Sequence, residues 1–206
     1  MIDGKPDEAD WLRAPKLDFL QFWEHKRPSN PGFVRVLWDD EFLYFSGELA
    51  DDDLYADLTE HDSTTWLNDT FEIFLKPSEN SSVYYELHVT PSNTTMDLMN
   101  PAKDARRFEF ARQWESGMVT AVSIRGTLNS WQDRDEGWSI EMAIPWKAFT
   151  DFFPVPRAGD CWSFAACRFD YTVYGNGPIR SATPQFTSLS FHRLNEFDQL
   201  IFSDKP

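Results

Sequence analysis

Short runs of β-branched and aromatic residues, each closed by a cluster of Gly, Pro, Asn, Asp or Ser, recur along this chain and limit what it can fold into. Phe33 to Trp38 and Phe42 to Leu49 flank Asp39-Asp40-Glu41, a short polar connection suited to a hairpin. Phe71 to Leu75 and Tyr84 to Val89 flank the turn-rich stretch from Lys76 to Ser82, a second hairpin. Met118 to Ile124, Trp138 to Ile144, Trp162 to Phe169 and Gln199 to Phe202 read as further strands. Only Pro145 to Phe149 suggests a helical turn, and Pro154 and Pro156 forbid a long one. Many strands without βα alternation predict an all-β fold, an antiparallel β-sandwich. No repeat or linker divides the sequence, so residues 1–206 are expected to form one domain.

The alternation also sorts side chains by face. Phe71, Ile73 and Leu75 point one way and Glu72 and Phe74 the other; Tyr85, Leu87 and Val89 oppose Tyr84, Glu86 and His88. If the two strands pair, Glu72 and His88 share the mixed face, where Trp66, just upstream, can overhang them. A flat apolar ring beside a carboxylate and an imidazole has the chemistry of a ligand site. Aromatic residues make up 16% of the chain, more than a helical domain needs for packing; a β-rich core explains most of them, and stacking on sugar faces is the other use of such rings.

Charge excludes two partner classes. The formal net charge is −15, the wrong sign for holding phosphate backbones or anionic lipid by clustered cations, so neither nucleic acid nor membrane is expected as a partner. Nothing calls for an obligate protein partner. The opening Met1-Ile2-Asp3-Gly4 lacks a secretory apolar stretch, so the expectation is an intracellular protein or one whose leader has been removed. Cys161 and Cys167 would lie on one strand face about 20 Å apart, beyond disulfide reach, and are expected as free, buried thiols.

Four blocks stand in order: Ile2-Asp3-Gly4-Lys5-Pro6-Asp7-Glu8-Ala9-Asp10-Trp11, Val34 to Tyr44, Trp66-Leu67-Asn68-Asp69-Thr70-Phe71-Glu72-Ile73-Phe74, and Gly137 to Trp146. Together they resemble the family 9 carbohydrate-binding modules and their stand-alone relatives, nearly end to end. The resemblance implies a distorted jelly roll of immunoglobulin-like build, often with structural calcium, that binds sugar without cleaving it, ancillary to polysaccharide breakdown. It implies a sugar held between two rings. Trp66 matches the first and Glu72 the hydroxyl-binding carboxylate; the second ring falls near Phe191, where the modules carry Trp. The polar shell departs: His88 and Thr90 stand where the modules place Arg and Asn, and the amide expected after Trp162 is replaced near Cys167, with Arg168 adjacent. His88 or Arg168 is the expected donor.

The acidic run Asp51, Asp52 and Asp53, with Asp57 and Asp62 downstream, reads by residues alone as a solvated loop; the resemblance makes it the place for calcium, a hard cation suited to clustered oxygens, although it lacks a fixed-spacing loop. No organic cofactor is expected: there is no phosphate loop or dinucleotide fingerprint, and His61, His88 and His192 have no zinc spacing. Three alternatives stay open. Glu72 and Glu86 could flank a glycosidic bond as a hydrolytic pair. His88 with Met96 and Met99 could hold haem, as in redox domains of related sandwich fold. A protein-interaction module is the third.

Overall fold

Two antiparallel sheets form the body of the protein. The computed structural model describes residues 1–21, 24, 26–100, 111–173 and 175–203. The first sheet runs β1 (Leu17–Asp18), β3 (Gly32–Trp38), β4 (Phe42–Ala50), β9 (Gly137–Pro145), β8 (Val119–Arg125). The second runs β2 (Leu20–Gln21), β11 (Ile179–Ala182), β10 (Cys161–Asp170), β5 (Thr70–Lys76), β6 (Tyr84–Val89), β7 (Thr95–Asn100), and β12 (Asp198–Ile201) also pairs with β10. The length of β10 lets it serve two partners on one edge: its first half pairs with β12 and its second with β11, while β5 lies along the other edge. Both hairpins form as the sequence predicts, and all pairs are antiparallel, an antiparallel β-sandwich.

The core lies between the sheets. Leu43, Phe45 and Leu49 of β4 and Trp138, Ile140, Met142 and Ile144 of β9 face Phe71, Ile73, Leu75, Tyr85, Leu87 and Val89 of β5 and β6. Gly47 sits at the closest approach, where a Cβ would lie 2.9 Å from the Phe71 ring and 3.0 Å from Ile140. A side chain there would push the sheets apart.

The outer face of the first sheet is covered by the opening segment. Glu141 of β9 accepts the backbone N–H groups of Asp3 and Gly4, each at 2.9 Å, and the Trp11 indole N–H at 2.8 Å. Trp11 comes from a short helix, α1 (Ala9–Arg13), that the sequence reading did not anticipate. Two of the four sequence blocks thus meet through one buried carboxylate. The helical turn expected after Pro145 is present as a 3₁₀ turn over Trp146–Ala148. Cys161 and Cys167 are both free, but only Cys167 is buried; Cys161, the first residue of β10, is exposed. Among the described residues no helix is long and apolar enough to cross a membrane.

Candidate functional site

The hairpin register places Glu72 directly opposite His88, and on the other flank of β5 it places Cys167 opposite Glu72. Glu86 stands opposite Leu98, and His88 opposite Met96. These outward-pointing residues floor a cleft of about 410 Å³ on the far side of the second sheet from the core, lined among others by Trp66, Glu72, Glu86, His88, Arg180 and Phe191.

Trp66 is presented by a 3₁₀ turn (Thr65–Leu67) that leads into β5. The residues after it hold that turn in place. Asn68 accepts the Leu58 N–H and donates to Asp57; Asp69 accepts the N–H groups of Tyr55 and Tyr171; the Thr70 hydroxyl donates to the Asn68 carbonyl at 3.0 Å. Tyr171 donates its hydroxyl to the Trp66 carbonyl at 2.9 Å. One side of the indole packs against Met96, Leu98 and Ala111, and the ring stays half-buried at the cleft.

The floor is polar and sealed. Glu72 is 1% exposed and His88 2%. Burial, reinforced by Glu86, pushes the Glu72 carboxyl well above its ordinary range, while burial pushes the His88 imidazole down to about 3. The two rungs therefore favour their uncharged forms, with His88 Nδ1 3.5 Å from Glu72 and 3.0 Å from the Thr65 hydroxyl. Glu72 Oε1 and His88 Nε2 are buried and have no hydrogen-bond partner among the described residues. Beside them Glu86 accepts from the Asn100 amide at 2.6 Å and lies 3.3 Å from His192, whose Nδ1 also meets the Tyr84 hydroxyl at 3.0 Å.

A pH dependence follows from Glu72. Its folded pKa is raised above the ordinary 4.5, so the native state keeps a proton that the unfolded chain has released, and stability falls as pH rises from 4.5 through the native value. Glu72→Gln removes this dependence. The variant is expected to match the wild type at pH 4 and to exceed it at pH 8 in thermal melts; an advantage that does not grow with pH would refute the assignment. His88 acts with the opposite sign, costing stability as pH falls below its ordinary 6.5.

The structure brings Trp66, Glu72, His88 and Phe191 to one cleft. Phe191 is 6% exposed, packed edge-on against Phe169 at 5.2 Å and among Phe74, Tyr84 and Phe186, so it forms a wall rather than a presented ring. Arg168 is not part of the site. Cys167 takes the position opposite Glu72, and period-two alternation turns the next residue to the other face of the sheet. Arg168 is there 1% exposed, its guanidinium 2.9 Å from Asp51 and 3.6 Å from Asp170, and it donates to the Asn30 carbonyl at 3.1 Å.

Asp51, Asp52 and Asp53 do not form a cage for calcium. Asp51 turns inward to Arg168 and the Asp53 N–H, Asp52 turns outward to Arg134 at 3.1 Å, and Asp53 accepts the Val173 N–H at 2.9 Å. Asp51 instead joins Asp69 and Asp170 in a buried trio. The Arg168 guanidinium lies against two of its members. Of the residues weighed for haem, His88 and Met96 are cross-strand neighbours on the cleft face, and Met99 points into the core.

Sequence reasoning missed Arg180 and Asn100. Arg180 stands opposite Phe169 on β11, its guanidinium 5.3 Å from that ring, and supplies the cleft cation expected of Arg168. Both come from short strands whose residues carry no alternation signal. Glu86 and His192 were visible, one on the mixed face of β6 and the other beside Phe191.

Comparison with known proteins agrees with this architecture. The family model described as "Carbohydrate family 9 binding domain-like" matches residues 2–183. A putative carbohydrate-binding protein from Bacteroides uniformis superposes with a TM-score of 0.73 at 16% identity, covering 94% of this chain and 88% of that one. A family 9 carbohydrate-binding module from Caldicellulosiruptor kristjanssonii, in complex with cellotriose, superposes at 0.70 with 16% identity over 100% of this chain and 90% of its own. Its glucose complex gives 0.66 at 16% identity over 100% and 94%. No curated protein matches the sequence. A match over nearly the whole described sandwich, together with its sheet order, assigns the chain to the carbohydrate family 9 binding domain-like family.

Proposed function

We propose that the cleft on the second sheet binds a sugar ring without cleaving it, with the ring's apolar face on Trp66 and its hydroxyls on the floor. The observation that carries this reading is the pair of orphaned buried atoms, Glu72 Oε1 and His88 Nε2, beside a half-buried indole. Buried polar atoms without partners are costly, and a polyhydroxylated ligand offers donors and acceptors to both. Glu72 accepts from a hydroxyl. His88 donates from Nε2 when Nδ1 accepts from Thr65, which stands 3.0 Å away. Arg180 takes the donor role at the rim. With Phe191 packed into the wall, the sugar is stacked on one ring and boxed by the edges of Phe169, Leu189 and Phe191 rather than sandwiched between two.

Family membership supports the reading, and the cellotriose and glucose complexes of the Caldicellulosiruptor module make those two sugars the first to try. The changed polar shell argues for a wider panel, because a site built on buried hydrogen bonds changes its preferred ligand when its donors change. Calorimetric titration of the full chain with glucose, cellotriose and a panel of soluble glycans is expected to give saturable binding of one ligand, with Kd between micromolar and millimolar, about 4 to 8 kcal/mol. Absence of heat across the whole panel would reject the function.

A further inference from the structure

Away from the cleft, three separate parts of the chain converge on one imidazole. His61 lies in the loop before Trp66; Asp62 follows it; Asp97 is on β7, where alternation turns it away from the cleft; Glu115 is in the segment leading to β8. We propose that His61, Asp62, Asp97 and Glu115 form a binding site for a divalent transition-metal ion of the zinc class.

The first support is distance. His61 Nε2 lies 3.4 Å from Glu115 Oε2, 3.6 Å from Asp62 Oδ1 and 4.0 Å from Asp97 Oδ1, and the four donor atoms all lie within 4.8 Å of one another. Separations in this range are poor for hydrogen bonding. The shortest matches the edge of a coordination tetrahedron, since zinc bonds of about 2.0–2.1 Å give edges of roughly 3.3–3.4 Å, and the longer ones require the half-exposed His61 and the exposed Glu115 to draw in on the ion.

The second support is independent of the clustering. Asp97 is 2% exposed, and its Oδ1, directed toward His61 Nε2, is buried with no hydrogen-bond partner among the described residues. The other oxygen of the same carboxylate is fully used, accepting the Ser116 N–H at 2.9 Å and the Ser116 hydroxyl. A buried carboxylate oxygen left over after its twin has been satisfied needs a cation or a donor.

The surroundings fit a ligated imidazole. His61 Nδ1 lies 2.9 Å from the Thr95 hydroxyl, an outer partner that fixes the ring and directs Nε2 at the carboxylates. Asp62 Oδ1 accepts the Asp97 N–H at 3.2 Å, which positions the second carboxylate. His61 and Glu115 are exposed, so an ion enters from solvent, while Asp97 forms the sealed base. One imidazole nitrogen with three carboxylate donors suits a borderline ion; calcium asks for six to eight oxygens and has no use for the nitrogen. No sequence spacing announces this site, because its ligands come from three segments that only the fold brings together.

The test uses the full chain, stripped with EDTA and titrated calorimetrically with zinc chloride, with calcium chloride as the comparison. One equivalent of Zn²⁺ is expected to bind and to raise the melting temperature, with affinity at least about tenfold above that for Ca²⁺. His61→Ala, which removes a half-exposed ring, is expected to melt like the wild type without metal and to bind Zn²⁺ at least about tenfold more weakly. Asp97→Asn is expected to do the same, and if it fails to fold the His61 variant still decides. Lack of saturable Zn²⁺ binding, unchanged affinity in His61→Ala, or equal affinity for Ca²⁺ would each overturn the site.

Discussion

Trp66→Ala is expected to lower sugar affinity by roughly thirty- to a hundredfold while leaving the fold intact. Removing the indole takes away the apolar surface covered by a pyranose and the stacking contribution, about 2 to 3 kcal/mol together. Because the proposed affinity lies between micromolar and millimolar, a loss of that size puts binding at or beyond the reach of calorimetry. The fold is expected to survive: the indole is half-buried, its turn is held by Asn68, Asp69 and Thr70, and none of those contacts uses the ring. Trp66→Phe retains a smaller platform and should fall between the two. Titration curves for Trp66→Ala that overlay the wild type, with unchanged circular dichroism, would remove the stacking platform from the account.

The other large effect concerns stability. Arg168→Met is expected to destabilise the protein by about 3 to 5 kcal/mol, the usual cost of removing one partner from a buried ion pair. For a chain of this size that corresponds to a fall in melting temperature of roughly 10 °C. The guanidinium is the cation paired with Asp51 and Asp170, and Asp69 lies in the same buried trio. Burial, with Asp170 adding to it, pushes the Asp51 carboxyl up to about 7 even against the pull of Arg168; burial likewise raises Asp69 and Asp170. Without Arg168 these acids take up protons more readily, so the penalty should be smaller at pH 5 than at pH 8. Urea unfolding at both pH values measures this. A loss below 1 kcal/mol, or one independent of pH, would mean that the guanidinium is not what neutralises the trio.

The strands β3 to β6 and β8 to β10 were legible because each carries its own alternation, and the hairpin connecting β5 to β6 is short enough to set the register that makes Glu72 and His88 neighbours. That register, with Trp66 six residues before Glu72, gave half of the cleft. The other half rests on short strands. In β7 (Thr95–Asn100) polar and apolar residues occur on both faces, and β11 spans Ile179–Ala182 only, so nothing local directs Asn100 and Arg180 to the site. Arg168 and the Asp51 to Asp53 run failed for different reasons. Residues consecutive along a strand point in opposing directions, so adjacency to Cys167 placed Arg168 on the wrong side of the sheet; the three aspartates lie in the bend after β4, where each takes a different partner.

The cleft floor has one further consequence. Its central rungs belong to β5 and β6, each bound by backbone ladders on both sides, β5 by β10 and β6, and β6 by β5 and β7. A floor fixed on both flanks cannot reshape itself around a visitor, so little ordering entropy is lost when one arrives, and little accommodation is available to a poor fit. On the proposed reading, selectivity on such a surface comes from reward: a guest with groups at the right two points satisfies a carboxyl and an imidazole that have no partner among the described residues, and a guest lacking them gains nothing there.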